Sequence, residues 1–348
     1  MPASRRPRAA VPNRSTRRPR SAPSLLPAAS TAVGLLLGHL ADRLFGDPRR
    51  GHPVAGFGRA AGALENVLWR DRRAAGVAFT ALCVAGTVVP VALVERRLGP
   101  SGRTVLTAAA CWAALGGTTL GREALRVGAA LEAGDPEGAR ELLPRLCGRD
   151  PAALDADGIA RAVVESVAEN TSDAVVGALV WGAVAGAPGL MGFRAVNTLD
   201  AMVGHRSPRY ARFGWASARS DDLAGLPGSR LTALLVAAVG PDRRGARRAR
   251  RADGGRHPSP NAGPVEAAFA GALGLRLGGT LSYGGRVEHR PVLNPAGRAP
   301  EPGDIARAVR LSHRVGVAAL AVATAGALVA GAAGVRRAPR TPPRGHRS

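Results

Sequence analysis

Residues 161–200 read RAVVESVAENTSDAVVGALVWGAVAGAPGLMGFRAVNTLD, and this stretch decides the fold class. A stripe of carboxylates runs into 174–193, twenty residues without a charge, before Arg194 restores polarity. A buried helix of a soluble protein rarely stays uncharged that long, whereas a hydrocarbon core of about 30 Å needs about 20 apolar residues. Three further runs, 74–94, 104–121 and 315–335, have the same character. A fifth, 24–38, is marginal, and 231–240 is too short alone. The expected fold is all-α: a polytopic integral membrane protein with about four to five membrane segments and helical polar loops, multi-pass in the cell membrane.

Composition agrees. Of 348 residues, 46% are hydrophobic but only 3% aromatic, so the apolar mass is Ala, Val, Leu and Gly, the palette of close-packed membrane helices. The net charge is +23, and every one of the 48 basic residues is arginine. The absence of lysine excludes a Schiff-base lysine and a P-loop lysine. Cys83, Cys111 and Cys147 form no C-x-x-C and read as small buried hydrophobes rather than a disulfide framework or zinc site.

Residues 1–24, with seven arginines and no acid, cannot bury enough apolar surface to fold. Arg17-Arg18 before an apolar run faintly resembles a twin-arginine signal, but no small-residue cleavage site follows. A single membrane-embedded domain is expected over 25–336, followed by a basic tail, 337–348. The block 243–256 holds seven arginines in fourteen residues and reads as a solvated loop. No aromatic interleaves it, so it makes a poor nucleic-acid platform. Residues 281–294 are expected to form a hairpin around Gly284-Gly285.

The positive-inside rule places the N-terminal tail in the cytoplasm. If all five long runs span, polar stretches 42–73 and 122–173 lie outside and 194–314 inside, and one site cannot use all three. The interruption Gly186-Ala187-Pro188-Gly189 marks 174–193 as broken or re-entrant, which is allowed where backbone lines a protein cavity.

Four polar constellations carry chemistry. In Asp42-Arg43-Leu44-Phe45-Gly46-Asp47-Pro48 and His52-Pro53, Asp47 serves as a turn former or an active carboxylate, and His52 as an interfacial residue or a base. Val54, Phe57, Ala61, Leu64 and Leu68 then mark an amphipathic helix carrying Glu65. Next, Glu165, Glu169 and Asp173 fall at i, i+4 and i+8, beside Asn170. Three like charges abutting an apolar run need compensation, by arginines or by a divalent cation. The third block carries Arg194, Asn197, Asp200, His205-Arg206 and Arg219-Ser220-Asp221-Asp222: acids suited to an ion, arginines suited to phosphate or carboxylate oxygens, or else a polar loop. In the fourth, His257-Pro258-Ser259-Pro260-Asn261, Asn261 is a plausible helix N-cap whose following N–H groups could hold an anion. No Walker A, G-x-S-x-G or H-E-x-x-H run occurs.

In this order, LLLGHLADRLFGDPRRGHPVAGFGR, ARAVVESVAENTSDAVVGAL, FRAVNTLDAMVGHRSPRYARFGWASARSDDL and HPSPNAGPVEAAFAGALGLRLGG resemble the CobD/CbiB family of cobalamin biosynthesis, across roughly 25 to 335. The resemblance implies a membrane enzyme that uses ATP to join a propionate carboxylate of adenosylcobyric acid to (R)-1-amino-2-propanol phosphate, or the free aminopropanol. His205 stands where an aromatic such as Tyr is expected, Pro264 where a Trp-like residue is expected, and Leu226–Arg230 is a loosened Ile-Pro-Ala-Arg stretch.

That chemistry assigns expectations to residues. Asp47, His52, Glu165, Glu169, Asn170 and Asp173 are the catalytic candidates. Arg194, Asn197, Arg206, Arg219 and Asn261 are the substrate-binding ones. Glu169, Asp173, Asp200, Asp221 and Asp222 are candidates for Mg²⁺, which is held readily by carboxylates together with phosphates. The expected partners are the corrinoid acid, the aminopropanol phosphate, ATP, the lipid bilayer and other corrinoid-pathway enzymes, with no nucleic acid. A transporter or ion-coupled carrier is the rival class, though no inverted repeat is visible. A membrane alcohol phosphotransferase is a second rival, but its D-x-x-D-G-x-x-A-R run is missing after Asp200.

Overall fold

The computed structural model describes residues 26–48, 51–205, 207–283 and 286–337. Both expected tails, Arg206 and Gly284-Gly285 lie outside these residues, apart from Arg337 at the last helix end. The all-α expectation holds. Twelve helices are described: α1 (Leu26–Phe45), α2 (Pro53–Leu68), α3 (Arg73–Arg97), α4 (Pro100–Ala114), α5 (Gly117–Glu132), α6 (Pro136–Leu142), α7 (Ala156–Thr171), α8 (Gly177–Leu199), α9 (Trp215–Val239), α10 (Arg243–Asp253), α11 (Ala262–Leu273) and α12 (Pro302–Arg337). The expected hairpin is present as antiparallel β1 (Leu277–Tyr283) and β2 (Arg286–Leu293), with a register shift between Leu277 and Gly279.

Among the described residues, five helical stretches are long and apolar enough to cross a membrane: Arg73–Arg97, Pro100–Glu132, Ala156–Gly204, Trp215–Val239 and Pro302–Ala333. Bare apolar side chains face outward at Leu36 and Leu40 of α1, Leu82 and Val89 of α3, and Val322 and Leu328 of α12. Among the described residues, α7, α10 and α11 expose no large apolar side chain. The molecule therefore has an apolar-walled part suited to lipid and a polar cap. Within the membrane part, Gly34 and Gly38 of α1 let the backbone close on α4. A Cβ on Gly34 would stand 2.6 Å from Thr107 Cβ, and one on Gly38 would overlap Cys111. This is the small-residue contact that van der Waals packing in lipid requires.

The apolar runs are not all simple spans. The run 104–121 bends between α4 and α5, where the Gly116 N–H donates to the Ala174 carbonyl at 3.2 Å. The run 231–240 is the end of α9, a helix of 25 residues. The run 174–193 turns back on itself. Ala185 (φ −136°, ψ 19°) and Gly186 (φ 62°, ψ −148°) leave helical geometry, and Pro188 sits in the first turn of the returning arm, where a missing N–H costs nothing. The arms pack face to face: a Cβ on Gly177 would overlap the Phe193 ring, and one on Gly182 would lie 2.9 Å from Leu190 Cγ. Gly186 shares a small cavity with Pro27, Glu95, Arg103 and Ala327, so the turn lies level with the start of α1 and the α3–α4 connection.

This reversal agrees with the re-entrant reading of 174–193 and replaces the arrangement in which all five runs span. The polar stretches 42–73, 122–173 and 194–314 share one face. The Asp47 N–H donates to Thr119 Oγ1 at 3.1 Å, Tyr210 Oη donates to Glu65 Oε1 at 2.8 Å, and the Gly278 N–H donates to Glu165 Oε1 at 2.7 Å. The 243–256 block is an amphipathic helix rather than a loop. Asp242 caps it by accepting from the Gly245 N–H at 2.8 Å, and Ala246, Ala249 and Asp253 are buried.

Candidate active site

Both arms of the α8 hairpin end in polar sequence at the cap. Each end carries one wide π turn, at 172–176 and at 200–204. Such turns place an extra residue in the helix and recur at functional sites. Here the first holds Asp173 and the second Asp200. The carboxylates of Asp173, Glu169, Asp200 and Asp221 lie within electrostatic reach of one another, although they come from both ends of the hairpin and from α9. Glu169 is open to solvent although Arg290, Arg149 and Asp200 surround it, so it lines the wall of a cleft.

A short relay of polar contacts orders one side. Arg194 Nη1 donates to Asn197 Oδ1 at 3.3 Å, and Asn197 Nδ2 donates to Asp221 Oδ1 at 3.4 Å. Arg194 also lies in the field of Asp173 and of Asp47, which follows the end of α1. Arg194 Nε and Asp47 Oδ1 are buried atoms without a hydrogen-bond partner. Asp222 pairs with Arg219 at 3.1 Å and is an electrostatic neighbour of Asp200. Next to Asp222 a cleft of about 240 Å³ opens between His205, Tyr210, Trp215, Arg219 and Pro258. The His205 and Tyr210 rings meet edge to face at 5.0 Å, so the histidine standing in place of an aromatic forms part of that wall.

Other expected site residues have structural duties. Glu165 is buried, forms an ion pair with Arg149 and accepts the Gly278 N–H, which removes it from the open stripe. Asn170 Nδ2 donates to the Ser166 carbonyl one turn back at 2.9 Å. His52 caps α2, its Nδ1 accepting the Val54 N–H at 3.1 Å. Asn261 occupies the N-cap position of α11, but its side chain makes no cap. Ser259 Oγ accepts the Asn261 and Ala262 N–H groups at 3.2 and 3.1 Å. The Asn261 amide ties α11 to α9, Nδ2 donating to the Asp222 carbonyl at 2.9 Å and Oδ1 accepting from Ser229 Oγ at 3.0 Å.

Sequence reading missed Arg149, Arg290 and Glu266. Arg290 Nη1 stands 3.4 Å from His257 Nε2, which is itself 4.0 Å from Glu266 Oε1. Burial, reinforced by Glu165 and Glu169, holds the Glu266 carboxyl well above the usual carboxylate range. Burial and Arg290 push the His257 imidazole down. A single acid in the otherwise apolar helix GPVEAAFAGAL was the available signal for Glu266. No spacing marked Arg149 or Arg290.

Among the described residues, no three His, Cys, Asp or Glu side chains converge as a ready-made metal cage. Magnesium asks less of a protein, one or two carboxylates with water and phosphate oxygens completing the shell. Asp173, Asp200 and Asp221, half-buried and mutually repelling, fit that demand.

A family model described as "CobD/Cbib protein" matches residues 35–312. The chain is 54% identical over 297 residues to "Cobalamin biosynthesis protein CobD" of Mycobacterium tuberculosis, covering 84% of this chain and 95% of that protein. Proteins of the same name match from Rhodobacter capsulatus, 44% identical over 76% of this chain and 86% of that protein, and from Sinorhizobium fredii, 40% identical over 80% and 92%. No solved structure matches.

Proposed function

We propose, since this chain belongs to the CobD/CbiB family of cobalamin-biosynthesis proteins, that it is the membrane ligase that closes an amide between a corrinoid propionate and an amino alcohol phosphate at the expense of ATP. The observation that carries this reading is the hairpin at Gly186, which gathers acids and arginines from distant parts of the chain into one open polar site beside lipid.

A carboxylate does not condense with an amine in water. In the proposed reaction its oxygen attacks the γ-phosphorus of ATP and ADP departs, leaving an acyl phosphate. The amine nitrogen then adds to the carbonyl carbon, the C–O bond to phosphate breaks, and phosphate leaves as nitrogen gives up a proton. Charge builds on phosphoryl oxygens in the first half, and fixed cations stabilise it most where water is thin. Arg194 and Arg219, beside the acids, would do that work. Mg²⁺, held by one or two of Asp173, Asp200 and Asp221, would neutralise phosphate charge. Asp47, with its unpartnered buried oxygen, is a fitting acceptor for an ammonium group or its proton.

Supply of ATP puts the cap in the cytoplasm and makes the cell membrane the host bilayer. The start of α1 then lies on the far face, opposite to the positive-inside expectation. The test is nucleotide turnover. Purified protein should hydrolyse ATP slowly alone, and fast only when adenosylcobyric acid and the amine are both present. Equal turnover with and without the corrinoid acid would overturn the ligase reading.

A further inference from the structure

A second cavity, of about 330 Å³, lies in the cap away from the carboxylate cluster. That volume is at the low end of the about 300–1,000 Å³ of small-ligand sites. Its walls come from five parts of the chain: the start of α7, the residue before β1, the bulged start of β1, Val292 of β2, and the segment at Ala299-Pro300. Two arginines, Arg161 and Arg276, face it, with Asp155 and Asp157 on the α7 side.

The arginines keep donors that the protein does not use. Arg161 Nη2 donates to the Thr280 carbonyl at 3.1 Å, but Arg161 Nε is buried with no partner. Arg276 forms no side-chain hydrogen bond or ion pair among the described residues. Asp155 is occupied in capping α7, its Oδ1 accepting the Gly158 N–H at 2.8 Å. Gly278 and Gly279 have φ of 78° and 89°, which an L side chain rarely adopts, and a Cβ on Gly278 would overlap the Pro291 carbonyl. At Gly279 the same atom would point toward Arg161, 3.7 Å from Nη1, so the missing side chain leaves the guanidinium open to the cavity. Two guanidinium forks over a bare backbone turn are suited to tetrahedral oxyanions, which accept paired N–H donors. Asp157, in the first turn of α7, is positioned for the cation that accompanies a phosphate chain.

We infer that this cavity is a binding site for a short phosphate chain, held by Arg161 and Arg276 and separate from the cluster around Asp221. The Gly278 N–H that donates to Glu165 joins the two regions, because Glu165 stands one helical turn before Glu169. The inference does not rest on the ligase reading, since the cavity takes a phosphate chain whichever reaction uses it.

The probe is magnesium pyrophosphate, titrated by calorimetry into the full-length protein in detergent without any corrinoid. Arg276→Gln and Arg161→Gln should each weaken the tightest binding at least tenfold, and the double variant should weaken it further. Arg247→Gln, which removes an exposed arginine of α10 outside the cavity, should bind as wild type does. Arg276 is exposed, so its variant keeps the test valid if Arg161→Gln fails to fold. Competition identifies the source of the phosphate: displacement by ATP assigns the site to the nucleotide, and displacement by aminopropanol phosphate to the amine substrate. Unchanged affinity in Arg276→Gln and the double variant, an equal loss in Arg247→Gln, or no pyrophosphate binding by wild type would overturn the inference.

Discussion

Asn197 donates from Nδ2 to Asp221 Oδ1 at 3.4 Å, fastening the returning arm of the membrane hairpin to the helix that follows it. The contact fixes where Asp221 stands relative to Asp173 and Asp200, and its other oxygen is left for ligands. Asp221→Asn keeps the shape and removes the charge. It should lower ligation by about 100-fold, the scale seen when one charge-stabilising group is lost, while detergent extraction and thermal unfolding stay as in wild type. A variant with wild-type turnover and wild-type Mg²⁺ dependence would return Asp221 to a structural role.

The hairpin itself rests on Gly186. A β-branched residue at φ 62° is strained, and a Cβ there would lie 2.7 Å from Glu95 Oε1. Gly186→Val should therefore cost about 1–2 kcal/mol or more, read as a lower unfolding temperature in detergent with an accompanying loss of activity. An unchanged unfolding temperature would mean that the chain does not reverse at this residue.

Glu266 predicts a pH dependence of stability. Its carboxyl holds a proton in the folded protein at pH values where the unfolded chain, with a usual value of 4.5, has released it. The unfolded state then binds fewer protons, so stability falls as pH rises from 4.5 toward the raised folded value. His257 acts with the opposite sign: its imidazole is lowered from 6.5, so stability is lost as pH falls through that value and below. Above about pH 7 His257 adds no slope, and the Glu266 contribution is the difference in slope between wild type and Glu266→Gln. Urea unfolding over that range should show stability declining with pH in wild type, and a flatter profile in Glu266→Gln. Equal slopes would show that Glu266 is ionised in the fold.

The shared face of the polar stretches predicts labelling. In a protein with Cys83, Cys111 and Cys147 replaced, Ser101→Cys and Ala252→Cys place single thiols at exposed positions on opposite ends. An impermeant maleimide added to intact cells should label position 101 and spare 252. Labelling of 252 alone would put the cap outside, away from cytoplasmic ATP.

Much of this architecture was legible from the chain. Uncharged runs mark membrane helices because hydrocarbon tolerates few charges, and Gly186-Ala187-Pro188-Gly189 marks the reversal because only such residues turn so tightly there. The acidic stripe was legible as a pattern but not in its division of labour. Glu165 is taken up by Arg149 and the β1 backbone, partners 16 and 113 residues away that no local period reveals. The π turns holding Asp173 and Asp200 also escape a 3.6-residue reading, because each inserts a residue that shifts the face. Asn261 had the look of a cap because it precedes a helix, whereas Ser259, two residues earlier, does the capping and frees the amide to bind α9.

The most direct test is the corrinoid itself. Purified protein given adenosylcobyric acid, Mg-ATP and (R)-1-amino-2-propanol phosphate should convert the corrinoid to the mass of adenosylcobinamide phosphate, with one ADP and one phosphate released per amide formed. A corrinoid of unchanged mass, with the protein moving a corrinoid or an ion across liposomes instead, would contradict the account and establish a carrier.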